Sequence, residues 1–74
     1  MDASQVTFDP KSMYRKDRAE RARITSLVVA QAPVGAVKAT TVNGWHTSSS
    51  DARNHCTVDY YDAAGDLIQR QHIL

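Results

Sequence analysis

The fold is decided by His55-Cys56-Thr57-Val58-Asp59-Tyr60-Tyr61, then Asp62-Ala63-Ala64-Gly65-Asp66, then Leu67-Ile68-Gln69-Arg70-Gln71-His72-Ile73. The two outer segments alternate apolar and polar residues, the period of a β-strand. The middle segment has turn chemistry. Asp62 opens a type I turn, and Gly65 supplies the left-handed residue of a G1 bulge. The stretch therefore reads as a hairpin. Its turn sets a register with Tyr61 facing Leu67, Tyr60 facing Ile68, Val58 facing Arg70 and Cys56 facing His72. One face then carries Cys56, Val58, Tyr60 and Ile68, and is the better core candidate. The other carries His55, Thr57, Asp59, Gln69 and Gln71, with Tyr61, Leu67 and Ile73.

Upstream, Val37 to Val42 is rich in β-branched residues and reads as another strand. Asn43-Gly44 follows it, either as a tight turn pairing Val42 with Trp45 or as a bulge in one long strand. Ser48-Ser49-Ser50-Asp51 reads as a loop. Further upstream the period changes to helical. Asp9 can cap, Pro10 suits the first helical position, and Phe8 with Met13 can form a hydrophobic staple. The run Lys11 to Ala22 is rich in helix formers. Ile24, Leu27, Val28 and Gln31 continue one face, and Pro33 and Gly35 end it. A helix is expected from about residue 10 to about residue 31. The run Ile24–Ala30 has a strand alternative, but it lacks alternation and continues the Arg/Ala-rich stretch. Residues 1–8 are polar and expected to fray. The resulting picture is a flexible N-terminus (1–8) and a single α+β domain (9–74). In it one N-terminal helix packs on a three- to four-stranded antiparallel β-meander.

The chain has 74 residues and net charge +1, with 42% hydrophobic and 23% charged residues. Its only cysteine is Cys56, so no internal disulfide can form, which suits a reducing, cytoplasmic location. No apolar run is long enough for a membrane span. The net charge argues against a dedicated nucleic-acid binder, but its distribution is uneven. Six of the nine basic residues lie between Lys11 and Arg23, against only Asp17 and Glu20. From Gly44 onward two basic residues face four acidic ones.

On a helical wheel, Met13, Ile24, Leu27 and Val28 share a stripe about 100° wide. Asp17 and Glu20 interrupt it. The second half of the helix should therefore pack on the sheet, while Tyr14–Arg21 has no dry face of its own. Lys16–Glu20 and Asp17–Arg21 are spaced to pair. That leaves Lys11, Arg15 and Arg18 on one edge beside Tyr14. With Arg21, and with Trp45 as a further interface anchor, these are the candidate partner-binding residues.

Chemistry is poorly supported. His55 and Cys56 are adjacent on a strand and point to opposite faces. Cys56 and His72 alone do not make a zinc site, and His46 adds no ligand spacing that would. No Gly-x-Ser-x-Gly elbow, phosphate loop or carboxylate pair occurs. No metal, cofactor or catalytic residue is expected, and the chain reads as no enzyme. The expected function is that of a small regulator or inhibitor that binds an acidic patch on a larger complex. Phage- or mobile-element-encoded inhibitors of host machinery, such as RNA polymerase or a nuclease defence complex, have this character. Weak, sequence-independent nucleic-acid binding by the basic helix is the alternative. A homodimer through the strand edge or the interrupted helix face is a third expectation.

Overall fold

A computed structural model describes residues 1–9, 18–43 and 57–73. Its elements are a single 3-10 turn (Ala3–Gln5), β1 (Val6–Phe8), α1 (Arg18–Ala30), β2 (Lys38–Asn43), β3 (Thr57–Tyr61) and β4 (Leu67–His72). The strands form one sheet in the order β1-β2-β3-β4. The class is α+β, and among the described residues one α-helix accompanies a four-stranded sheet.

Two features differ from the expected meander. The sheet is mixed, because β1 runs parallel to β2 while the other pairs are antiparallel. The helix is also not the first element, because the expected fraying segment is structured. Asp2 caps the 3-10 turn, accepting from the Ser4 amide at 2.9 Å, while the Gln5 side chain accepts from the Asp2 amide at 2.8 Å. This reciprocal capping box sets the entry of the chain into β1. Three residues make a weak strand, so side chains reinforce it. Thr7 Oγ1 donates to the Ala39 carbonyl at 3.3 Å and lies 3.0 Å from Thr40 Oγ1. The Asp9 amide donates to the Thr41 carbonyl at 3.1 Å, extending the ladder.

The Ser4 hydrogen bonds, side-chain first, hold the Asp2 carboxyl below its ordinary value of 3.8. A depressed carboxyl stabilises above its unfolded pKa and loses that effect as pH falls through the folded one. Protection of the β1 amides, the ratio of intrinsic to observed exchange, should therefore fall below about pH 4 in the native protein but not in Asp2→Asn, which keeps an acceptor without a charge.

Residues 24–30 are helical, as their continuity with the Arg/Ala-rich stretch implied. The expected helix start near Pro10, the Phe8–Met13 staple and the pairs made by Lys16 and Asp17 lie outside the described residues. So does Gly44; the structure places an irregularity of register between Thr41 and Asn43.

The core is Ile24 and Val28 from α1, Ala36, Ala39 of β2, and Val58 and Tyr60 of β3. Met1, Val6, Phe8, Ala32 and Ile73 pack around it. Ile24 and Val28 are four apart and stack on one helix face. Tyr60 does two jobs. Its ring is fully buried, and its hydroxyl donates to the Val28 carbonyl at 2.7 Å. The last four carbonyls of a helix lack intrahelical partners. The Gln31 amide serves that of Leu27, the Ala32 amide serves that of Val29, and Tyr60 serves that of Val28. Beyond the helix, the Ala36 amide bonds the Pro33 carbonyl across a turn that needs Gly35 at φ +91°.

The Asp62–Asp66 turn forms as its sequence implies. The Gly65 amide donates to the Asp62 carbonyl at 3.0 Å, and Gly65 sits at φ +88°. The Asp62 carboxylate also accepts from the amides of Ala64 and Asp66. Tyr61 faces Leu67 as expected. The next step does not follow. Tyr60 faces Gln69, Val58 faces Gln71 and Asp59 faces Arg70, because Ile68 is an extra residue without an opposite number. This second bulge reverses every later side chain of β4, since a one-residue slip exchanges the two faces. Gln69, Gln71 and Ile73 take the α1 side, and Ile68 is 41% exposed instead of joining the core. The two glutamines are accommodated by bonding each other and Gln31 after α1.

On the helix-free face, Thr7, Thr40, Asp59 and Arg70 form one row across four strands. Asp59 is buried and accepts a two-pronged bond from Arg70, at 2.6 and 2.9 Å. That bond raises the already high pKa of the guanidinium. On the helix side, Thr41 is fully buried and its Oγ1 has no hydrogen-bond partner among the described residues. A buried hydroxyl without a partner is destabilising. Thr41→Val, which keeps the shape, should stabilise the protein by about 1 kcal/mol, read as a raised urea midpoint at constant slope. A lowered midpoint would mean that the hydroxyl is bonded.

Candidate protein-binding surface

The first six residues of α1, Arg18-Ala19-Glu20-Arg21-Ala22-Arg23, contain no buried side chain. Burial begins at Ile24. The small core buries side chains only from the second half of the helix. The first half consequently presents three arginines against one glutamate.

Each arginine is held differently. Arg23 pairs with Glu20 at 2.7 Å, one turn away. Arg21 lies over the Phe8 ring, 5.2 Å from its centroid. A cation over the half-buried Phe8 ring gains on the order of 0.5–1 kcal/mol, so β1 helps to fix the direction of Arg21. Arg18 is exposed, and its side chain has no hydrogen bond or ion pair among the described residues.

An open groove of about 400 Å³ runs beside the helix, walled by Met1, Asp2, Ala3, Thr25, Ser26, Val29 and Ala30. At about 100° per residue, Arg18, Ala22, Thr25 and Val29 fall on one stripe of α1. Arg18 therefore lies in line with the groove, seven residues and about 10 Å along the axis from Thr25. The N-terminal 3-10 turn makes the opposite wall.

Of the sequence-derived candidates, Arg18 and Arg21 share this end of α1. Lys11, Tyr14, Arg15 and Trp45 lie outside the described residues. Lys16–Glu20 and Asp17–Arg21 each have one member outside them; Glu20 also pairs with Arg23 within α1. The groove and the role of Phe8 were not read from sequence. Their signal was Asp2 followed three residues later by Gln5, the signature of a capped turn.

Among the described residues, no group of three or more His, Cys, Asp or Glu side chains could hold a metal ion. No helix among them is long and apolar enough to cross a membrane. No protein family, curated protein or solved structure matches this chain.

Proposed function

We propose that this chain is a non-catalytic protein-binding module, a regulator or inhibitor that docks on a larger complex through the first half of α1. The carrying observation is the run Arg18–Arg23, three arginines and no buried side chain, continuing past the core in line with an apolar-walled groove. A partner segment that places apolar side chains in the groove and an acidic group against Arg18 and Arg21 satisfies both. Charge-assisted bonds from arginine to carboxylate give such contacts direction as well as energy. Inhibitors of host machinery carried by phages or mobile elements act by surface occupation of this kind.

The test is capture from a cell lysate with three forms: wild type, Arg18→Glu/Arg21→Glu, and Ser26→Lys, which places a charge in the groove. Ser26 is exposed, so the last form keeps the core. Wild type should retain an acidic protein that both variants lose. Equal retention by all three would refute the reading. A labelled single-stranded oligonucleotide, titrated at low and moderate salt, tests the nucleic-acid alternative. That alternative predicts affinity that falls steeply with salt.

A further inference from the structure

The sheet has two edges of unequal quality. β1 is three residues long, whereas β4 is six, and its outer edge is unpaired among the described residues. Edge strands are commonly protected by lysine, proline or an unpaired charge. β4 has no lysine and no proline. Its one Lys, Arg, Asp or Glu side chain, Arg70, is matched by Asp59 of its own sheet. Leu67 and Ile68, 52% and 41% exposed, stand at its start. An approaching strand therefore meets exposed apolar residues and no net charge from these groups.

We infer that β4 is the seam of a homodimer, pairing antiparallel with β4 of a second copy to make one continuous eight-stranded sheet. Charge favours a second copy. The edge offers no net charge to recruit an acidic or a basic strand, and the net charge of +1 opposes self-association little. A two-fold axis also makes an antiparallel edge complementary to itself. It keeps both α1 helices on one side. Charge then selects the register. Pairing centred on Arg70 would set two arginines directly opposite, with their Cα atoms about 5 Å apart. Pairing centred on Gln69 sets Arg70 opposite Ile68 of the copy and brings two side-chain amides together. Gln69 Nε2 already donates to Gln71 Oε1, which leaves the Gln69 carbonyl oxygen as an acceptor at the axis. The assembly closes at two, because β1 is too short to propagate it. This inference is independent of the α1 surface.

Sedimentation equilibrium at roughly 10 μM and 1 mM brackets the weak range expected of so small a seam. The wild type should shift from monomer toward dimer. Ile68→Lys, at an exposed bulge position, should fold normally by circular dichroism and associate at least tenfold more weakly. Register is read by oxidation in a Cys56→Ser background. Gln69→Cys should cross-link several-fold faster than Arg70→Cys, since opposed residues on the axis lie within disulfide reach. A wild type that is monomeric at 1 mM overturns the inference. So does Ile68→Lys associating as strongly as wild type.

Discussion

Truncating Tyr60 to alanine is expected to destabilise the protein by about 3–5 kcal/mol, the range for a large buried aromatic. A 74-residue domain has a total stability of roughly 4–11 kcal/mol, so this variant should be largely or wholly unfolded at moderate temperature. Tyr60→Phe separates the two roles of the side chain. It keeps the ring and removes the donor to the Val28 carbonyl. Its expected cost is about 1–3 kcal/mol, since a helix-end carbonyl is left buried without a partner. Urea melts of both variants at one protein concentration make the comparison. If Tyr60→Phe is as stable as wild type, the hydroxyl does not cap α1.

Ile24→Ala is expected to cost about 2–5 kcal/mol. Ile24 is fully buried where the helix first meets the sheet, and Val28 is the only other α1 residue as deeply placed. With two anchors holding the helix, loss of one should free α1 more than the sheet. Amide exchange should then show α1 opening with a smaller loss of protection in β2 and β3. Ala22→Gly lies on the same helix but is exposed, and should cost only about 1 kcal/mol through helix propensity. Equal effects at positions 22 and 24 would contradict the packing described.

The hairpin was legible because its information is local. Asp62 and Gly65 write the turn, and the turn fixes Tyr61 against Leu67. The bulge at Ile68 has no comparable marker. Nothing in Leu67-Ile68-Gln69 requires a left-handed residue, so the alternating pattern was carried forward and β4 was assigned the wrong face beyond it. The structure accepts glutamines on the helix side because Gln31, 40 residues away along the chain from Gln71, completes their hydrogen bonds. β1 was missed for a related reason. Val6-Thr7-Phe8 is too short to show a period, and its parallel pairing with β2 is a long-range contact. At residues 24–30 the sequence favoured helix over strand, on continuity with the residues before it, without settling the choice; the structure has helix there. For the surface, the sequence identified a helix half without a dry face, and the described part of that half bears no buried side chain. It could not show the groove, whose walls come from the first three residues and from the flank of α1.

The most direct measurement of the central claim is site-specific photo-crosslinking in lysate. A photoreactive residue at Ala22, on the Arg18–Val29 stripe, should yield a discrete adduct that Arg18→Glu abolishes. The same residue at Thr40, on the helix-free face of the sheet, should yield none. An adduct of equal yield from Thr40, or one from Ala22 indifferent to Arg18, would contradict the assignment of α1 as the docking surface.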